Sequence, residues 1–419
     1  MEGLESNHKS KKGRNKRLLL VKSRLVSQSD KIFKHHLIRS AFTGIVETGI
    51  MGFSLLIAIR VFDASQTHKI WIAAGVPIGF ILTSFTVFLV SKSDFKAGFI
   101  YCFLSLGIGI FFLGAAASNH LLLFVLCIMG AKILSAQISP ILIQIYALNF
   151  DKKELGKNIS YFLITVSLFS GISSYLFGKV LDHDLNLYRV LYCFMGFSSL
   201  GILFSLTQIP SRSIKKAKNN NPLKNLSFYY KDKLFGWMLT MWMFMGIGNL
   251  MTLPQRIEYL ANEKYGLSYT NEEISIIVMV VPSVMSVLSS QLWGRMFDRC
   301  HFIPIRCALN VLMLIGIVLF FNSSSFVWLS ISTGIFGFAM GGATITWNLW
   351  VTKIAPPGEE SAYMSVHTTL NGIRGIFAPS LGYFALDYLN MKAFSMVAAA
   401  CMLLSIVMLF FVWRHKRFA

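Results

Sequence analysis

Residues 391–413 read MKAFSMVAAACMLLSIVMLFFVW, a run in which nearly every side chain is apolar and only Lys392 is charged. As a helix it would rise about 34 Å at about 1.5 Å per residue, which is enough to cross a hydrocarbon core of about 30 Å. The run lacks the apolar–polar alternation of a barrel strand. Because backbone groups in lipid must be bonded internally, the stretch predicts a transmembrane helix.

Eleven further stretches of similar length and character precede this one. Of the 419 residues 54% are hydrophobic and 14% are charged, whereas soluble domains average about 25% charged residues. We predict an all-α integral membrane protein of twelve transmembrane helices. The predicted spans are 37–60, 70–90, 97–117, 121–147, 158–181, 188–209, 234–255, 273–292, 303–322, 326–350, 361–386 and 391–413.

Lysine and arginine are distributed unevenly over the connecting segments. With the N-terminus inside, thirty of the 39 basic residues fall on inside segments and seven on outside segments. Basic residues favour the cytoplasmic side, so we predict a multi-pass protein of the cell (inner) membrane with both termini cytoplasmic. The net charge of +20 then faces the anionic inner leaflet. We expect the lipid bilayer and a small-molecule substrate as partners, no nucleic acid, and a monomer.

The polar stretch 210–233 divides the spans six and six. Three residue pairs in the two halves share one offset of 204 residues, which indicates a duplication. These pairs are Asp94 with Asp298, Gly171 with Gly375, and Gly178 with Gly382. The predicted domains are a basic cytoplasmic tail (1–36), an N-terminal six-helix bundle (37–209), a cytoplasmic linker (210–233), a C-terminal bundle (234–413) and a cytoplasmic tail (414–419).

The segment GRMFDR at 294–299 is similar to the Gly-x-x-x-Asp-Arg loop signature of the major facilitator superfamily, and the chain resembles that family over about residues 36–413. The resemblance implies two pseudo-symmetric six-helix bundles that rock about a midplane site. It also implies a cytoplasmic hinge in which Gly294 lets helices approach while Asp298 and Arg299 hold one conformation. The first-half copy, SKSDFK, keeps Asp94 but has Val90 at the position of the glycine.

Residues 375–382 resemble the Gly/Pro pattern that antiporters of this family carry in helix five. Here the pattern lies in helix eleven, and its helix-five counterpart has Tyr175 instead of proline. Helix packing through small residues is the other interpretation.

Three ionisable residues lie deep within the spans: Glu47, Lys132 and Arg374. Inserting each charge into the membrane costs roughly 2.5–3.5 kcal/mol, so each residue is expected to have a structural or functional role that offsets this cost. One interpretation is a structural ion pair of Glu47 with Lys132 or Arg374. The other is that these charges face an aqueous cavity, which the resemblance places between helices one, four, seven and ten. The surplus positive charge then predicts a solute with negative charge, and Glu47 is the candidate proton carrier.

Polar residues at helical spacing complete the candidate lining of this cavity. His367, Asn371 and Arg374 recur at intervals of four and three, and therefore share one helix face. The other candidates are Ser135, Ser139, Gln144, Trp242, Asn249, Gln255, Thr344, Trp347 and Asn348.

The sequence carries no phosphate-binding Gly-rich loop and no metal-ligand spacing of histidine or cysteine. We therefore predict a protein that is not an enzyme and has no cofactor or metal. The predicted function is a proton-coupled secondary active transporter for a small organic solute, working by alternating access. The alternatives are a drug or metabolite efflux antiporter, and a transport-inactive scaffold or sensor on the same fold.

Overall fold

The computed structural model describes residues 30–213, 225–356, 359–413 and 415. These residues are almost wholly helical, and an isolated bridge between Lys96 and Ser213 is the one β-type pairing recorded among them. Twelve long helices follow one another along the described chain. They are α1 (Asp30–Arg60), α2 (Gln66–Lys92), α3 (Ala97–Ala117), α4 (Leu121–Asn149), α5 (Lys152–His183), α6 (Tyr188–Thr207), α7 (Lys233–Ala261), α8 (Asn271–Arg299), α9 (Phe302–Phe321), α10 (Phe326–Leu349), α11 (Glu360–Ala385) and α12 (Met391–Phe410).

The helices form two six-helix bundles, α1–α6 and α7–α12, which confirms the predicted fold class. Ten of them are long and apolar enough, within the described residues, to cross a membrane. The remaining two are α2, which is apolar in sequence but contains four residues whose side chains lie outside the described part of the structure, and α11. In α11 the polar residues Asn371 and Arg374 dilute the apolar character of the span.

Each predicted span corresponds to one observed helix, with two instructive differences. Helix α1 already begins at Asp30, so that Arg39 lies well inside it. Helix α8 continues to Arg299, so the segment 294–299 occupies its last turns and not the loop that follows. The predicted domain boundaries stay predictions. Residues 1–29 and 214–224 lie outside the described part of the chain.

Two π-helical turns interrupt the regular hydrogen bonding of α1 and α8. They span Gly49–Phe53 and Ile276–Val280. Pro282 lies two residues after the end of the second turn and has no N–H to donate to the preceding turn. The two turns meet across the boundary between the bundles, where a Cβ at Gly52 would overlap the end of the Met279 side chain.

The two bundles pack together through α5 against α8 and through α2 against α11. Glycines of the internal repeat lie at both contacts. A Cβ at Gly178 of α5 would lie 2.7 Å from the carbonyl oxygen of Asn271, and one at Gly375 of α11 would lie 2.7 Å from Cγ of Pro77. Close approach of small residues is therefore one role of these repeat positions.

We name the two ends of the molecule by their connections. The distal face carries the turns that follow the odd-numbered helices, from the α1–α2 turn to the α11–α12 turn, and the proximal face is the end at which α1 begins.

Candidate functional site

Glu47 is partly buried in α1, two residues before the π-turn. Its carboxylate forms no hydrogen bond or ion pair within 4 Å of another described residue. The nearby charge that acts on it is that of Arg39, eight residues earlier on the same helix. That separation is about 12 Å along the axis, so the two long side chains approach without forming a contact pair.

Arg39 is itself buried within the N-terminal bundle, with 1% of its surface exposed. Its guanidinium donates hydrogen bonds to the hydroxyl oxygens of Tyr101 (3.0 Å), Tyr146 (2.7 Å) and Ser40 (2.9 Å). Sequence reasoning missed this residue because it counted Arg39 with the basic tail as a sign of orientation, although the predicted span 37–60 contains it. Helical continuation of the preceding segment DKIFKHH was the signal that would have placed it inside.

Neither ion pair proposed for Glu47 is present among the described residues, since no salt bridge joins it to Lys132 or to Arg374. Lys132 is 6% exposed and lies where α4 packs against α2. A Cβ added to Gly75 of α2 would lie 2.8 Å from Cβ of Lys132. The three deep charges predicted from the sequence are thus separate, and each must be explained by its own surroundings.

Arg374 of α11 reaches α7, where Gly246 leaves room for it. Its guanidinium donates to the carbonyl oxygen of Trp242 and to Oδ1 of Asn371. Asn371 and Arg374 therefore share one face of the helix, as their spacing predicted. His367, on the same helix, is 1% exposed and packs against the rings of Trp242 (5.0 Å), Trp347 (5.4 Å) and Trp350 (5.2 Å).

Arg306 of α9 joins this group and was also missed from the sequence. It is fully buried, its guanidinium carbon lies 3.8 Å from the centroid of the Trp242 ring, and Nη1 donates to Oγ1 of Thr346 at 3.3 Å. The prediction had assigned it to the basic segment between α8 and α9, where it counted only as a sign of orientation.

The remaining lining candidates are dispersed. Gln144 is exposed on α4, Thr344 is exposed on α10, and Asn249 is partly buried on α7 with no partner for its Oδ1.

Gln255 is fully buried, and both atoms of its amide lack a hydrogen-bond partner. Asn348 lies in α10, and its side chain is outside the described part of the structure. Ser135 donates to the carbonyl of Lys132 and is therefore satisfied locally.

The residues of the family signature lie at the proximal face. Asp94 is exposed in the turn between α2 and α3, and Asp298 and Arg299 are exposed in the last turn of α8. A Cβ at Gly294 would lie 3.8 Å from Cδ1 of Ile345, an ordinary contact distance, so the helices do not approach unusually closely there. The gating role of these residues stays a prediction.

The distal face holds a set of contacts that sequence reasoning did not find. Lys69 of α2 donates to both carboxylate oxygens of Glu258 of α7, at 2.9 and 2.8 Å, and the two side chains are 8% and 1% exposed. Both residues lay outside the predicted spans and were treated as loop residues. The pair joins the two bundles in a buried setting.

A second distal contact caps a helix. Asp182 near the end of α5 accepts hydrogen bonds from the backbone N–H groups of Asn271 (2.7 Å) and Glu272 (2.9 Å) and from the Asn271 amide (2.9 Å). Arg60 of α1 also donates to the carbonyl oxygen of Tyr269, at 2.9 Å. We call the pairs Lys69–Glu258, Asp182–Asn271 and Arg60–Tyr269 the distal gate.

In this structure α1, α2 and α5 of one bundle pack against α7, α8 and α11 of the other. The polar contacts recorded between described residues of the two bundles lie at the distal face. Twin helical bundles of this kind are the architecture of a membrane transporter. The sequence profile of the Major Facilitator Superfamily matches residues 37–379 and 264–418, and the chain belongs to this family. The chain has no match among curated protein sequences.

Solved structures share the fold at low sequence identity. The nucleoside transporter NupG is 12% identical, with a TM-score of 0.74 over 93% of this chain and 100% of that one. A POT family transporter in complex with a thioalcohol-conjugated peptide is 11% identical, with a TM-score of 0.72 over 90% and 95%. The human organic anion transporter MFSD10 (TETRAN) is 12% identical, with a TM-score of 0.62 over 91% and 99%.

Proposed function

We propose that this protein is a secondary active transporter that moves a small organic solute with negative charge by alternating access, coupled to protons. It acts as a monomer in the cell (inner) membrane with its proximal face in the cytoplasm. Neighbours of the same fold that are named for nucleosides, peptides and organic anions support a small polar solute.

One observation carries this proposal. Every hydrogen bond and ion pair recorded between described residues of 30–209 and 225–413 lies at the distal face. The bundles are therefore held closed at that end by polar contacts that water can replace. The excess of basic residues on the proximal segments supports an inward-facing state.

Glu47 supports the coupling part of the proposal. It is a carboxylate within a span, it forms no ion pair with another described residue, and it lies beside the π-turn through which α1 meets α8. Gain and loss of a proton would change its charge at this contact, because an uncompensated charge in a span is costly and a protonated acid is much less so. Intramembrane ionisable residues commonly form proton relays.

The solute has to be found first, by comparing the metabolites of cells that contain and lack the protein. Proteoliposomes then test the mechanism with the solute so identified. Glu47→Gln should abolish uptake driven by a pH gradient while leaving solute exchange, because the amide cannot carry a proton. Glu47→Asp, which keeps a titratable group, is the matched control and should retain some coupling.

Two results would contradict the proposal. Uptake by Glu47→Gln that still follows the pH gradient would exclude this residue as the carrier. Absence of flux for any solute in wild-type proteoliposomes would favour a transport-inactive scaffold or sensor.

A further inference from the structure

The C-terminal bundle contains a buried group of aromatic and cationic side chains. Helix packing does not account for the charges in this group, and the proposed coupling role of Glu47 does not involve it. We call it the tryptophan–arginine cluster and define it as Trp242, Arg306, Trp350, His367 and Arg374. Helices α7, α9 and α11 and the 3-10 turn Trp350–Lys353 that follows α10 contribute to it, and every member is at most 5% exposed. The cluster reaches the surface of the bundle at the partly buried residues Trp347 and Asn371.

The charge of this cluster is uncompensated. No Asp or Glu lies within 4 Å of Arg306 or Arg374 among the described residues, and the charge of each guanidinium acts on His367. The charge of Arg374 also acts on Arg306. Buried charges are normally paired, because taking a lone ion out of water costs several kcal/mol. Two like charges buried close to each other raise that cost.

The hydrogen-bonding inventory has the same imbalance. Among the described residues, five buried N–H groups of the cluster have no acceptor, and the carbonyl of Trp242, Oδ1 of Asn371 and Oγ1 of Thr346 are already used. Buried donors without acceptors are rare in folded proteins and require an explanation. The five belong to Nε1 of Trp242, Nε1 of Trp350, Nε and Nη2 of Arg306, and Nε of Arg374. Nε2 of His367 also has no partner, and its tautomer decides whether it donates or accepts.

The N-terminal bundle provides an internal comparison. Displacing position 146 by the repeat of 204 residues gives position 350, so Tyr146 and Trp350 are equivalent. In the N-terminal bundle the tyrosine hydroxyl accepts a hydrogen bond from Arg39, and Glu47 adds a negative charge. In the C-terminal bundle the equivalent ring offers only another N–H. The acceptors present in one half are thus absent from the described residues of the other.

We infer that the tryptophan–arginine cluster binds a carboxylate group. A carboxylate supplies the missing negative charge and up to four lone-pair sites, and guanidinium groups bind it in a bidentate manner. That this carboxylate belongs to the transported solute rests on the proposed function. Binding itself does not, so it can be measured without transport.

The test uses the full-length protein in detergent and follows its thermal unfolding. Sodium acetate replaces sodium chloride at constant ionic strength, and acetamide serves as the neutral isostere. Acetate should raise the unfolding temperature in a saturable manner by roughly 2 °C, because a ligand that binds only the folded state stabilises it. Acetamide should leave it unchanged.

Arg306→Gln and Arg374→Gln should each lose the response to acetate. The matched control is Arg256→Gln. Arg256 is also buried (4% exposed) and packs 3.6 Å from the Phe336 ring centroid, but it lies outside the cluster, so its variant should keep the response. Should Arg306→Gln not fold, Arg306→Lys keeps the charge without the bidentate geometry and should bind acetate more weakly.

Three outcomes would overturn the inference: no rise when acetate replaces chloride, an equal rise with acetamide, or an undiminished rise in both arginine variants. The first would leave an inorganic halide or water as the occupant. Failure of transport in proteoliposomes, with the acetate response intact, would contradict the proposed function alone.

Discussion

Glu258→Gln is the most informative perturbation of the distal gate. The change leaves the Lys69 ammonium, which is 8% exposed, without its counter-charge in the closed state. Breaking a buried ion pair by removing one partner costs about 3–5 kcal/mol. The glutamine carbonyl still accepts one hydrogen bond, so we take about 3 kcal/mol. At about 1.4 kcal/mol per tenfold, the distal-closed form then loses roughly 100-fold in population relative to the distal-open form.

Hydrogen exchange followed by mass spectrometry reads this change without added labels. The N–H groups of Asn271 and Glu272 are bonded to Asp182 of the other bundle only while the distal face is closed. Exchange of residues 270–275 should therefore be faster in Glu258→Gln than in the wild type. Helices that stay within one bundle, such as α9, should exchange as before.

Lys264→Gln is the matched control. Lys264 lies 3.6 Å from Glu258, but it belongs to the same bundle and its side chain is 55% exposed. A surface pair of this kind contributes about 0–1 kcal/mol, so exchange at 270–275 should hardly change. The double replacement Lys69→Glu with Glu258→Lys restores the pair and should restore protection. Equal exchange in Glu258→Gln and the wild type would refute the ion pair as a closing element.

Two further changes test the other distal contacts by the same exchange measurement. Asp182→Ala removes a helix cap and should weaken closure by about 1–2 kcal/mol. Asp184→Ala, which removes a cap within its own bundle, should not affect closure. Similar protection of residues 270–275 in both variants would count against a role of Asp182 in closure. Gly178→Ala brings a Cβ within 2.7 Å of the Asn271 carbonyl oxygen and should oppose closure by about 1–3 kcal/mol. The same change at Gly171, which has open space around it, should have no effect. Equal exchange in the two variants would argue that close packing of α5 against α8 does not stabilise the closed distal face.

The fold was predictable from the sequence because the thickness of the bilayer sets the length of each helix, and the apolar lipid around a helix sets the composition of its side chains. Residues 97–117 were predicted with the bounds that the structure has. That Asn371 and Arg374 share one helix face also followed from helical spacing alone, and the structure joins them by a hydrogen bond. Local periodicity carries this kind of information.

The site was less predictable, and the residues that were missed share one cause. Arg39, Lys69, Glu258 and Arg306 all lie within about four residues of the end of a predicted span. At such a position a charge in the sequence looks the same whether it signals orientation or turns inward. Only the tertiary fold distinguishes the two, because the partners of Arg39 and Lys69 lie 62 to 189 residues away in the chain. The expected partners of Glu47 were chosen by depth in the membrane, and depth does not specify direction around the helix.

The cap that Asp182 places on α8 gives closure a dependence on hydration. When the bundles part, the first N–H groups of α8 lose a carboxylate and must be satisfied by solvent, because the start of a helix has no internal acceptors for them. Opening therefore takes up water at this end of the molecule. Excluded osmolytes such as sucrose should then favour the closed distal face.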